Sequence, residues 1–281
     1  MQDYYTIPAE DFSKNSTYKF QFVDTHADLC HMFARELVDL IKAKAASNQM
    51  TKVILPVGPL DYQAFAELCN QEGVSCESLV IFSMDEYVYA DNTAIPIDHP
   101  LSFRAFYQHN LLDILDEDKK LPEDQLIMPD PADLDQVRRK LEQFGGVDVT
   151  YGGFGINGHF AFNSPPLVET ALETFKNTSV RIVTTREGDV IQMAIGGTMG
   201  NIEMIPPKGC TLGIKELLSA EKIHLTFMRS WHAGVLRRAL FGPVTPMFPG
   251  SLVQLHSNVK VTVTNIAAKL PPVSILQTPG D

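Results

Sequence analysis

Val147-Asp148-Val149-Thr150-Tyr151-Gly152-Gly153-Phe154-Gly155-Ile156-Asn157-Gly158-His159 is a short strand-like run that passes into a glycine-rich loop ending on an imidazole. Gly145-Gly146 precede the run and closely spaced glycines follow it, which is the pattern of a buried strand. Glycine has no Cβ and tolerates positive φ, so such a loop brings backbone amides and one imidazole close to a small polar ligand. Phe160-Ala161-Phe162 and then Asn163-Ser164-Pro165 continue the chain with an apolar step.

On both sides of this stretch strand and helix signals alternate. Leu29, Phe33, Leu37, Leu40 and Ile41 fall at helical spacing within residues 24–46. Residues 52–57 (KVILPV) and 78–84 (SLVIFSM) read as buried parallel strands, with a helix over 61–73 closed by glycine between them. Further helices are expected over 99–115, opened by proline, and over 133–144, closed by Gly145-Gly146. Later strands are expected at 179–184, 222–228 and 259–265, and helices around 213–218 and 233–240. This alternation predicts an α/β fold, a doubly wound, mainly parallel sheet flanked by helices, Rossmann-like. Residues 1–22 read as an N-terminal extension packed on a single α/β domain over 23–281.

The 281 residues, 44% of them hydrophobic, are enough for one full core. A net charge of −11 argues against nucleic acid and anionic membrane as partners and leaves a small molecule. Cys30, Cys69, Cys76 and Cys210 form no metal-spaced motif, so they read as reduced thiols. No segment approaches the roughly 20 apolar residues of a membrane span, and the start shows no signal-peptide pattern. These features predict a cytoplasmic protein with no metal.

Open α/β sheets bind ligands at the carboxyl ends of their strands. Asp85 and Glu86 end one predicted strand. They read either as a general base at a pocket mouth or as a helix cap or solvated turn. His159, in its glycine loop beside Gly158, suits proton transfer near neutrality. Gly58 and Pro59 form a turn after a strand that either cradles an anion or simply connects strand to helix. Lys208 and His232 are candidate contacts for an anionic group, or ordinary surface residues. The Arg237-Arg238 pair reads as solvated.

Three segments in order resemble the glucosamine-6-phosphate deaminase (isomerase) family, in a superfamily with 6-phosphogluconolactonase and ribose-5-phosphate isomerase. They are Phe82-Ser83-Met84-Asp85-Glu86-Tyr87-Val88, His99-Pro100-Leu101-Ser102-Phe103-Arg104-Ala105-Phe106 and Gly155-Ile156-Asn157-Gly158-His159-Phe160-Ala161-Phe162-Asn163. Thr211-Leu212-Gly213-Ile214 and Leu255-His256 match more weakly. The resemblance implies a cofactor-free aldose–ketose isomerisation with loss of ammonia from an amino-sugar phosphate, in a homo-oligomer. Asp85 would move a proton between sugar carbons 2 and 1, and His159 would help open the ring.

Five departures stand out. Asn157 replaces the family's aspartate, as it does in the similar galactosamine-6-phosphate isomerases. Ser164 replaces a glutamate. Val57-Gly58-Pro59 is shorter than the family's Thr-Gly-Gly-Thr-Pro phosphate turn. His232 aligns with its phosphate-binding lysine. Ile191-Gln192-Met193 falls near the place of a family arginine that has no clear counterpart here, Arg186 being one candidate, and residues 195–201 (IGGTMGN) read as a mobile cover or a relocated anion site. Two alternatives remain at this stage: an isomerase or lactone hydrolase of the superfamily acting on another sugar, phosphorylated or not, and a non-catalytic sugar-binding or regulatory protein that keeps the fold.

Overall fold

The apolar runs around residues 53, 81 and 149 become central strands of a seven-stranded sheet in which every adjacent pair is parallel. The structure is a computed structural model that describes residues 3–271. Its first half holds β1 (Lys19–Val23), α1 (His26–Ala45), β2 (Thr51–Leu55), α2 (Gln63–Glu72), β3 (Leu79–Ser83), β4 (Asp85–Val88), α3 (Phe103–Tyr107), β5 (Leu126–Ile127), α4 (Gln136–Phe144) and β6 (Val149–Gly152). The second half adds α5 (Leu172–Lys176), β7 (Arg181–Thr184), α6 (Glu187–Gly196), β8 (Lys208–Thr211), α7 (Ile214–Leu217), β9 (Lys222–Phe227), α8 (His232–Phe241), β10 (Val259–Thr264) and α9 (Asn265–Ala268). The large sheet runs β1-β10-β9-β6-β2-β3-β5, and an antiparallel β4-β8-β7 sheet sits beside it.

Successive strand residues point to opposite faces, so the sheet divides the core in two. Val53, Leu55 and Ile81 pack with Leu29, Phe33 and Leu37 of α1 and Phe65 of α2. Ile54, Val80 and Phe82 pack on the other side with Leu236 and Ala239 of α8. Burial on both faces explains why these strands read as continuous apolar runs. Thr25 and Asp28 close a capping box at the start of α1, and Gly73 (φ 65°) and Gly145 (φ 73°) end α2 and α4 in the left-handed region.

Several local expectations are corrected. The Asp85-Glu86-Tyr87 segment is a strand, β4, because the chain leaves β3 at Met84 and pairs antiparallel with β8. The helix expected over 99–115 begins only at Phe103, capped by Ser102, and passes into a π-helical turn at Gln108–Leu112. Its late start fits Pro100, which disfavours helix at the residue before it. Lys19–Val23, at the end of the segment read as an extension, pairs with β10 as the edge strand, and Phe12 is buried. Arg237 is not solvated. It is fully buried, donates to the carbonyls of Ile7, Ala233, Ala268 and Lys269, and lies over the Phe12 ring, so it ties the N-terminal segment to α8 and to the end of α9. All four cysteines are free and buried. Among the described residues no helix is long and apolar enough to cross a membrane.

Candidate active site

From β2 the chain builds β3 and β5 to one side, then returns to build β6, β9 and β10 on the other. The switch in strand order therefore lies between β2 and β6, where open sheets form ligand crevices. A cavity of about 510 Å³ opens there. Its walls include Val57, Gly58 and Pro59 after β2, Asp85 after β3, Gly153 and Gly155 after β6, and Arg229 and His232 after β9. A second cavity of similar volume, lined by Arg104, Glu123 and Lys140 among others, contains none of the candidate catalytic or anion-contact residues read from the sequence.

Asp85 is 7% exposed and lines the cavity. Burial pushes its carboxyl up to about 8, helped by the negative charges of Glu86 and Asp189, while the Phe162 amide pulls the other way. Tyr87, Phe103 and Phe162 form an aromatic wall beside it, with the Phe103 and Phe162 rings stacked 6.1 Å apart. Glu86, expected as a second catalytic carboxylate, is turned away. It does not line the cavity. It accepts the amides of Tyr87, Phe103 and Arg104 at 2.9, 3.0 and 2.9 Å and the Ser102 hydroxyl at 3.3 Å. An acid accepting amides at the start of α3 anchors that helix against β4.

His159 lines the cavity and its ring lies directly over Gly155, where a Cβ would sit 1.9 Å from the imidazole Cε1. This close approach is what Gly155 is needed for. Nδ1 of His159 lies 2.8 Å from both Asn157 Oδ1 and Asp189 Oδ1. Asn157 Oδ1 also accepts the His159 amide at 3.0 Å. Both neighbours of Nδ1 accept, so a proton sits on Nδ1 and, in the neutral ring, the lone pair lies on Nε2, which has no partner among the described residues. Ser164 does not reach the cavity; its hydroxyl donates to Asp189 at 2.7 and 2.9 Å and receives the Asn157 amide at 3.3 Å. Burial pushes Asp189 up, but the hydrogen bond and charge of His159, with Ser164 and the Arg186 amide, outweigh it and hold the carboxyl below the usual range.

Sequence reasoning missed Asp189. It stands on α6, whose Asp189, Gln192, Met193 and Gly196 recur at helical spacing and all line the cavity. Acids in the first turn of a short amphipathic run were the available signal. Arg186 is not on this wall.

The anion-contact expectations divide. Gly58 and Pro59 line the cavity, but Pro59 offers no N–H and its carbonyl meets His26 at 3.1 Å. His232 lines the cavity, yet its Nδ1 accepts the Met228 and Arg229 amides, and burial together with Arg229 pushes it down to about 3. It is a neutral cap on the turn into α8, not an anion-binding cation. Lys208 lies outside the cavity and donates to Ala90 and Asn92, each at 2.7 Å. Gly158 (φ 82°) supports the loop by packing on Phe248 and giving its carbonyl to the Gly250 amide. The cation that does line the cavity with no side-chain hydrogen bond or ion pair among the described residues is Arg229, beside Gly196.

No family model matches the chain. Among solved structures, a monomeric glucosamine-6-phosphate deaminase, described as the missing link of the NagB superfamily, is 25% identical, with 90% of this chain and 99% of that one covered and a TM-score of 0.76. The 6-phosphogluconolactonase of Trypanosoma cruzi is 17% identical over 89% and 96% of the two chains (TM-score 0.65). That of Plasmodium vivax is 18% identical over 94% and 99% (TM-score 0.63). The chain thus has the fold shared by these deaminases and lactonases, and the superfamily resemblance read from the sequence is borne out.

Proposed function

We propose that this chain, built on the fold of the NagB superfamily, is an amino-sugar phosphate isomerase/deaminase that uses Asp85 and His159. The observation that carries this reading is one cavity faced by both groups, with the Asp85 carboxyl raised to about 8. A carboxylate with that value is a far stronger base than an ordinary one and still ionises near neutral pH. His159, with its proton on Nδ1, takes the anomeric hydroxyl proton on Nε2 and returns it to the ring oxygen, which opens the ring. Asp85 then removes the proton from carbon 2, and the enolamine that forms is reprotonated at carbon 1. The resulting imine at carbon 2 adds water and releases ammonia, leaving the ketose phosphate. Arg229 supplies an unpaired positive charge for the phosphate, and the Tyr87, Phe103 and Phe162 wall supplies an apolar surface for the sugar.

The test is ammonia release from glucosamine 6-phosphate and galactosamine 6-phosphate. Turnover is expected with at least one, and Asp85→Asn is expected to lower kcat about 10³-fold. The base acts only when ionised, so kcat/KM is expected to rise with pH through about 8. No ammonia from either sugar, or undiminished ammonia release by Asp85→Asn, would overturn the reading. Hydrolysis of 6-phosphogluconolactone that survives Asp85→Asn would move the chemistry to a His159-activated water.

A further inference from the structure

We infer that Asp189, on α6, is the positioning carboxylate of His159, so that the imidazole gains its full charge partner only with α6 seated on the glycine loop. This rests on the proposed role of His159 as the ring-opening residue. The geometry has four parts. Asp189 Oδ1 meets His159 Nδ1 at 2.8 Å, and Asp189 is 6% exposed. Ser164 gives Asp189 its hydroxyl proton, and the Arg186 amide donates to Oδ2 at 2.7 Å, so the carboxylate is held at several points. The Ile156 amide donates to Gln192 Oε1 at 3.0 Å, which ties the next turn of α6 to the same loop. Gly188 lets the helix approach, since a Cβ there would sit 2.6 Å from Asn157 Nδ2.

Asn157 and Asp189 both accept from Nδ1, but they are not equivalent. Asn157 orients the ring as a neutral acceptor. Asp189 adds a negative charge in a nearly dry setting, which stabilises the imidazolium formed when Nε2 takes a proton. Asp189 also accepts the amide that opens α6, so a purely structural role has to be separated from this one.

The decisive experiment pairs Asp189→Asn with the double variant Asn157→Asp/Asp189→Asn, which returns a carboxylate to the loop beside Nδ1. The hydrogen-bonded Nδ1 proton of His159 is followed by NMR in the ligand-free protein and assigned by its loss in His159→Gln. Asp189→Asn is expected to shift that resonance strongly upfield and to lower kcat about 10²-fold with KM within about twofold. The double variant is expected to restore the resonance and most of kcat. A helix-capping role alone predicts an unmoved resonance and no rescue, and either result overturns the inference. Gly188→Ala, which keeps every polar side chain but crowds the Asn157 amide between α6 and the glycine loop, is the second variant if Asp189→Asn does not fold; an unchanged resonance and kcat there would also overturn it. The resonance is read without substrate. A shift and rescue without turnover of any sugar phosphate would therefore sink the proposed reaction and leave the Asp189–His159 assignment standing.

Discussion

Glu36 and Asp85 are both withdrawn from water, against opposite ends of the same parallel sheet. Glu36 of α1 meets the first residues of β9 and β10: Lys222 at 2.6 Å, Lys260 at 2.5 Å and His224 at 3.2 Å. Asp85, just past β3, has Glu86 and Asp189 as its charged neighbours. Burial pushes Glu36 up, but the His224 hydrogen bond and the lysines outweigh it and hold the carboxyl far below the usual range. His224 is itself wholly buried and pushed down by that burial, so near neutrality it offers Glu36 a hydrogen bond and the lysines carry the charge. The same desolvation at Asp85, added to like charges, leaves the carboxyl at about 8. Where the buried carboxylate ties the fold together the chain surrounds it with cations, and where it faces the cavity the chain sets only like charges beside it.

The largest effect expected from breaking this contrast is on stability at the Asp85 end. The folded protein keeps a proton on Asp85 that the unfolded chain, with an ordinary value of 3.8, has already lost. Stability from this group is full below that value and falls by up to about 1.4 kcal/mol per pH unit until about pH 8. Asp85→Asn removes that slope, so the variant is expected to be inactive yet more stable than the parent at pH 8, by denaturant melts at pH 5 and pH 8. Identical slopes in the two proteins would show that Asp85 is not strained.

At the other end the sign reverses. Glu36→Gln leaves two partly buried lysines unpaired and is expected to cost about 2 kcal/mol at pH 7. Because the folded value is depressed, the parent's advantage is present above the ordinary value of 4.5 and is lost as pH falls below it. Turnover at saturating substrate is expected to stay within about twofold of the parent, and a large loss would mean that the two ends are coupled.

Glu86 gives the smallest effect and the sharpest internal comparison, since it is the chain neighbour of Asp85. Burial pushes it up, against the Phe103, Arg104 and Tyr87 amides and the Ser102 hydroxyl that favour its charge. Glu86→Gln is expected to cost about 1 kcal/mol through the start of α3 and to lower kcat only a few-fold. A loss as deep as that of Asp85→Asn would restore Glu86 as a catalytic group.

The comparison also shows what periodicity can carry. The strands around Ile54, Phe82 and Thr150 are legible because each stays inside one contiguous buried run. β4 and β8 were not, since their pairing depends on each other and not on a local pattern. Arg237 looked solvated because its partners, Ile7 and Lys269, lie far away in the chain. His232 and Lys208 looked like anion contacts because a cationic side chain shows its charge type in the sequence but not its neighbours. Asp189 stayed hidden for the related reason that nothing in its own segment mentions His159.

The sequence by itself determined the sheet's central strands, the glycine loop and the two groups, Asp85 and His159, that face the cavity, because strand burial and glycine's backbone freedom are local properties. Tertiary structure alone decided which carboxylate faces the cavity, which anchors a helix and which meets the imidazole. Asp85, Glu86 and Asp189 are the same chemical group, and only the donors, charges and water around each one separate their roles.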